Sequence, residues 1–331
     1  MVAIWVSAAL AQEVQTAGTL GEGASEWADI GQLPRSFLPR GIVNGTDTGD
    51  YPAVFSLTAD DGAGGVSTFC SGTLVHAEWG ITAAHCIEAA EDYEAFGIPL
   101  YAAFGSTVFA PDLLVELDDL IAIPTYDAAA FAHDIGVVKL ASPVKDITPM
   151  LVNDEPIDDS WSGTQLTFVG YGITGDGKND SGTKRTTDLT VTDFDDQYVY
   201  SFELDSNVCN GDSGGAALEH NGKNLELSGV NAFVTPSCNG GSNGATRVDM
   251  YLDSFVLLHV PRVYADPADL QDALNGEGLP WIDLGVGEQV QGLGGRFPPP
   301  SQLHEEGCST APPSSVGLGL FLGALALRRR R

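Results

Sequence analysis

Between residues 42 and 260 the apolar positions come in short runs broken by polar clusters. Val54–Leu57, Cys70–Val75, Val137–Leu140, Gln165–Gly170, Asp188–Thr192, Leu225–Val230 and Ala245–Met250 are each bounded by Gly, Pro, Asn or Asp. That punctuation predicts short strands. Tyr251 to Val260 carries apolar residues at helical spacing and predicts the main helix. Many short strands with almost no helix predict a β-sandwich or barrel.

The pattern changes outside that region. Residues 1–11 read MVAIWVSAALA, an apolar stretch closing on Ala9-Leu10-Ala11, the small-x-small form of a signal-peptidase site. No basic residue precedes it, so either the true start lies upstream or the signal is atypical; a short buried strand is the competing reading. Residues 12–41 are poor in large apolar side chains and read as a detachable leader. Residues 261–307 are rich in Gly and Pro and read as a linker. Within them Asp266 as cap and Pro267 in the first turn predict a short helix from Asp266 to Leu274. The apolar run Val316–Leu327 near the end spans about 18 Å as a helix, short of a bilayer core of about 30 Å.

The 331 residues hold 45 Asp+Glu against 15 Lys+Arg, a net charge of -30, and four of the basic residues are the terminal Arg328–Arg331. Nucleic acid binding needs a positive footprint, so that function is excluded, as is docking on an anionic membrane surface. Charged residues make up only 18% and hydrophobic ones 43%. The chain therefore carries enough apolar surface for a packed core and is not a disordered acidic protein. Of the cysteines, Cys70, Cys86, Cys209 and Cys238 suit two disulfides in an exported protein, with three pairings open on arithmetic. Cys308 stands alone. His76, His220, His259 and His304 show no metal-ligand spacing, and no H-E-x-x-H occurs, so no metal or cofactor is expected. Asp176-Gly177-Lys178-Asn179-Asp180 lacks the glycine of a complete calcium loop and reads as a solvated acidic loop.

Three segments carry chemistry. They are Thr82-Ala83-Ala84-His85-Cys86, His133-Asp134-Ile135-Gly136 and Cys209-Asn210-Gly211-Asp212-Ser213-Gly214-Gly215. A serine hydroxyl becomes a useful nucleophile when a base takes its proton, and a carboxylate can hold that base in its tautomer. His85, Asp134 and Ser213 supply those groups in the His, Asp, Ser chain order of the double-barrel proteases. His133 is read as a neighbour of Asp134 without a role of its own.

On these motifs, and on Ile42-Val43-Asn44-Gly45 and Gly170-Tyr171-Gly172, the stretch 42–260 resembles the chymotrypsin/trypsin family of serine endopeptidases. The resemblance implies an all-β fold of two antiparallel six-stranded β-barrels with a C-terminal helix and the active site between the barrels. It implies a catalytic triad of His85, Asp134 and Ser213, with the Gly211 and Ser213 amides as oxyanion hole. It implies disulfides Cys70–Cys86 and Cys209–Cys238. It also implies a zymogen in which a new amine at Ile42 pairs with Asp212. The family has Arg or Lys directly before that Ile, whereas here Arg40 is followed by Gly41, so the activating cut differs.

The specificity pocket implied by the resemblance is formed by Asn207 at its floor, Ala232, Phe233 and Val234 along one wall, and Gly244 opposite. A neutral floor and Val234 at the mouth favour small or medium uncharged side chains. The alternative is Arg or Lys specificity, with Asp205 moved into the pocket. Ala232 stands where the family has a serine, so Asp134 needs another partner. Gly307-Cys308, the Ser/Pro spacer, the apolar run and Arg328–Arg331 resemble the myxobacterial C-terminal sorting signal. That implies processing at Cys308, a tail (308–331) that engages the membrane and a sorting machinery, and display at the cell surface. The expected protein is thus an exported, monomeric serine endopeptidase acting on proteins or peptides. Its competitors are an inactive protease-like binding protein and a structural surface module.

Overall fold

The computed structural model describes residues 42–275 apart from 223 and 236. The expected signal 1–11, the leader 12–41 with Arg40 and Gly41, the linker from residue 276 onward and the tail with Cys308 lie outside the described residues. Among the described residues no helix is long and apolar enough to cross a membrane.

The chain folds into two closed barrels. The first uses β2 (Val54–Asp60), β3 (Val66–His76), β4 (Trp79–Thr82), β5 (Leu100–Phe104), β6 (Leu113–Ala122) and β7 (Gly136–Leu140). They close in the order β2-β3-β4-β7-β6-β5, with every neighbour antiparallel. The second uses β9 (Gln165–Gly170), β10 (Arg185–Phe194), β11 (Tyr198–Phe202), β12 (Ala216–Asn221), β13 (Asn224–Thr235) and β14 (Ser242–Arg247). Because β9 pairs with both β10 and β12, this ring closes too, again antiparallel throughout. The two-residue strands β1 (Thr46–Asp47) and β8 (Leu151–Val152) add to β10 and β13 from outside, β8 in parallel. Closure leaves no unpaired sheet edge in either ring.

Each barrel is filled by the side chains that alternate inward. Phe55, Leu57, Leu74, Ile81, Phe104 and Val137 are buried in the first. Leu166, Phe168, Leu189, Val191, Val199 and Ala245 are buried in the second, together with Ile42. Several buried polar side chains of the first barrel are paired across strands, as where Thr58 Oγ1 donates to Tyr101 O at 3.0 Å. The two-barrel architecture is as the resemblance implied.

Local differences from the sequence expectation have physical causes. Helix α1 (Ala84–Ala95) follows β4, and its buried face is Ala84, Cys86, Ile87 and Ala90. Small side chains on that face and a crowd of acids on the other give little amphipathic contrast, although alanine favours helix. The predicted helix after Met250 is a π-helical turn (Leu252–Val256) continued by Leu257–His259. The predicted strand Ala245–Met250 is shifted toward the N-terminus, ending at Arg247.

The fold also runs past Val260. Helix α2 (Pro267–Asn275) has the predicted Asp266 cap, with Ala268 N donating to Asp266 Oδ1 at 2.7 Å. Tyr264 and Leu270 are buried with Ala77 and Leu151, and Val152 N donates to Tyr264 O at 2.8 Å. Residues 261–275 therefore pack as part of the globule. Removing two large apolar side chains from the core costs about 3–5 kcal/mol. A chain ending at Val260 should have a lower urea midpoint than one ending at Asn275. Equal midpoints would show that 261–275 contributes nothing.

Candidate active site

His85 lies in the first turn of α1, immediately after the end of β4. Asp134 lies two residues before β7, the strand paired to β4. That pairing brings them together. His85 Nδ1 and Asp134 Oδ2 are 2.7 Å apart, and the His85 amide donates to Asp134 Oδ1 at 2.9 Å. Asp134 is buried, and its backbone oxygen accepts from Thr246 Oγ1 at 2.8 Å, a bond from the second barrel. Both carboxylate oxygens thus face N–H groups of one residue, which answers the missing serine. Burial alone would lower the His85 pKa. The charge and hydrogen bond of Asp134, helped by Glu88, outweigh it, so His85 titrates above its ordinary value. Its Nε2 lies 3.6 Å from Cys86 Sγ.

Ser213 comes from the second barrel, on the turn leading into β12. Gly211 and Gly214 flank it with φ of 97° and 79°, the left-handed region that glycine adopts freely. A Cβ on Gly214 would sit 2.1 Å from Thr82 Oγ1 and 2.3 Å from Ser71 O. The serine turn therefore touches the first barrel through bare backbone, and Ser71 N donates to Ser213 O at 2.8 Å. Among the described residues no hydrogen bond reaches the Ser213 hydroxyl. Disulfide Cys70–Cys86 ties β3 to α1 beside His85, and Cys209–Cys238 closes the loop beside the serine turn. Each removes roughly 3 kcal/mol of unfolded-state freedom on the chain-entropy account.

A paired His–Asp couple on one barrel and a glycine-flanked serine turn from the other are the groups that acyl transfer requires. The sequence profile of the Trypsin family matches residues 42–254. The chain belongs to the trypsin family. It is 29% identical to brachyurin of Leptuca pugilator over 227 residues, 64% of this chain and 96% of that protein. It is 27% identical to trypsin of Saccharopolyspora erythraea over 232 residues, 64% of this chain and 95% of that protein. It is 26% identical to collagenase of Hypoderma lineatum over 235 residues, 64% of this chain and 85% of that protein.

In this trypsin-family chain two buried asparagines meet, Asn207 and Asn243, the first just ahead of the serine turn in the chain. Asn207 is buried, accepts from Val208 N at 2.9 Å through Oδ1 and donates through Nδ2 to Gly241 O at 2.9 Å. Those two bonds fix its amide orientation. Asn243 must then present its amine, and its Nδ2 donates to Asn207 Oδ1 at 3.1 Å. Asn243 pairs across the strands with Val234, so both point to the same side. Gly244 is placed elsewhere. It pairs with Phe233 and lies under that ring, 2.4 Å from where its Cβ would be. Phe233 packs at right angles to Tyr198, with centroids 5.0 Å apart. Ala232 is the extra residue in a bulge between Asn231 and Phe233. That bulge has no signature in the sequence, and it is why Asn243 escaped the sequence reading. Asp205 is exposed, away from the asparagine pair.

Ile42 is fully buried among second-barrel side chains, and Val43 N donates to Asn207 O at 2.7 Å. Asp212 is also fully buried. Its carboxylate accepts from Gly172 N at 3.0 Å and Cys209 N at 2.9 Å. Burial lifts its pKa from 3.8 to about 7, against the pull of those amides and of Arg185. A carboxyl that holds its proton longer when folded stabilises the fold below its unfolded pKa, and that stabilisation is lost as pH rises through the folded one. The full-length protein should therefore lose urea resistance between about pH 4 and pH 7. Asp212→Asn should flatten that slope. An unchanged slope in the variant would assign it to other groups.

Proposed function

We propose that this protein is a serine endopeptidase that hydrolyses peptide bonds through an acyl-enzyme intermediate. The observation that carries the reading is the buried His85–Asp134 pair, at 2.7 Å, on the barrel face that receives the Ser213 turn. His85 takes the Ser213 proton as the hydroxyl attacks the carbonyl, then returns it to the leaving amine. Asp134 keeps Nδ1 protonated and stabilises the imidazolium. The Gly211 and Ser213 amides bind the oxyanion. Ser213→Ala should lower kcat/KM at least about 10⁴-fold without changing the fold. A fluorophosphonate should label Ser213 in the active protein alone. Turnover by the Ala variant near that of the parent would defeat the assignment. The acid limb of kcat/KM should fall above pH 6.5, because His85 titrates above its ordinary value. A limb below 6.5 would mean that Asp134 does not govern the base.

The protein is made as an exported zymogen whose new Ile42 amine meets Asp212, with the tail from Cys308 holding it at the cell surface. The support is the burial of Ile42 and Asp212 in the same barrel and the composition of the two ends.

Its primary specificity is for small uncharged side chains. Val234 and Asn243 project into the same space over Asn207 and leave no acid for a cation. Burying an unpaired guanidinium costs several kcal/mol, a loss of about 100-fold or more in efficiency. In a matched peptide series, cleavage after Ala or Val should exceed cleavage after Arg by that factor. Asn243→Gly should move the optimum to larger side chains. A series that peaks at Arg would overturn the pocket.

A further inference from the structure

Ser71 occupies the middle of β3 and is fully buried. Its hydroxyl donates to Gly211 O at 2.9 Å and accepts from Tyr171 N at 3.1 Å. The directions are unambiguous, since a carbonyl only accepts and an amide N–H only donates. Its own amide donates to Ser213 O at 2.8 Å, and its carbonyl accepts from Thr82 Oγ1 at 2.8 Å. One residue of the first barrel thus grips both residues whose amides bind the oxyanion.

The two grips are not equivalent. The peptide that carries the Ser213 amide is already fixed from within the second barrel. Asp212 O accepts from Gly215 N at 2.8 Å and from Asn231 Nδ2 at 3.1 Å. Among the described residues the peptide that carries the Gly211 carbonyl has one bond within its own barrel, from Asp212 N to Cys209 O at 3.2 Å, and Gly211 itself has a φ of 97°, in the left-handed region that glycine adopts. Its carbonyl is held by the Ser71 hydroxyl. We infer that Ser71 is a positioning residue, whose hydroxyl fixes the 211–212 peptide and so, through the Gly211 Cα, limits where the adjoining Gly211 N–H can point. This rests on the endopeptidase reading. It adds that oxyanion binding is set from the opposite barrel, by a side chain that never touches substrate.

The test compares Ser71→Ala and Ser71→Thr with the parent in steady-state hydrolysis and in fluorophosphonate labelling, each with its melting temperature. Loss of one aligned oxyanion donor lowers kcat by about 100-fold. Partial misalignment in Ser71→Ala should therefore lower kcat by at least about tenfold with KM within about twofold. Labelling should slow by the same factor. Ser71→Thr keeps the hydroxyl and should hold kcat near that of the parent, whatever its added methyl does to melting. A folded Ala variant with unchanged kcat, or with only KM raised, overturns the inference. Should Ser71→Ala not fold, the Thr variant decides: parental kcat supports the role of the hydroxyl, and a folded Thr variant slowed more than about fivefold refutes it. A parent protein that neither hydrolyses peptides nor labels at Ser213 would refute the endopeptidase reading instead.

Discussion

The two barrels meet backbone to backbone at Gly214, and the candidate site follows from that contact. No side chain fits there, because a Cβ would overlap Thr82 Oγ1 and Ser71 O. The approach lets the strands of one barrel bond directly to the loop of the other. Ser71 N reaches Ser213 O, Ser71 Oγ reaches Gly211 O, and Thr246 Oγ1 reaches Asp134 O. Residues from three distant stretches are then fixed by short, buried hydrogen bonds. Such bonds are costly to leave unmade, so the junction holds its geometry against thermal motion.

Charge is handled differently inside the fold and on its surface. Most acids face solvent, where repulsion is weak. The few ionisable groups inside are matched to backbone dipoles. Asp212 faces two amides, and Lys184 Nζ donates to Tyr51 O at 3.0 Å and to Asp50 O at 3.3 Å. Dipoles repay less desolvation than an opposite charge does. The Lys184 pKa accordingly falls to about 8 through burial, as that of Asp212 rises. Arg247 and Asp249, by contrast, form a buried ion pair at 2.6 Å. Asp212 is a buried acid whose carboxylate, among the described residues, accepts hydrogen bonds from backbone amides alone.

Much of this was legible in the sequence because motifs record close approach. Gly211, Gly214 and Gly215 mark a backbone that cannot carry side chains, and His85 beside Cys86 marks a histidine pinned by a crosslink. Strands such as β2 and β9 were visible as dense apolar runs. β6 was not, because Glu116, Asp118 and Asp119 interrupt it and its exposed face hides the alternation. α1 was hidden by its small apolar face. The bulge at Ala232 could not be seen either, since it changes which residues pair without changing composition. The boundary at Val260 failed for another reason. Tyr264 and Leu270 are isolated apolar residues in a Gly- and Pro-rich stretch, and only the fold shows that they find a core.

The asparagine pair shows how strand register decides which side chains meet. An antiparallel pair puts directly opposed residues on one face, so the bulge at Ala232 decides that Val234 meets Asn243 and Phe233 meets Gly244. In an unbroken register Asn243 would oppose Phe233 instead, since β14 itself carries no bulge. With the bulge, Val234 flanks an amide that Asn207 orients. Asn207 is in turn oriented by Gly241 O and Val208 N, both backbone groups that substitution cannot remove. The consequence is a buried amide with an unpartnered oxygen, Asn243 Oδ1. Such an oxygen is a cost to the fold. The shape of the candidate pocket is therefore a property of strand pairing first and of the pocket residues second.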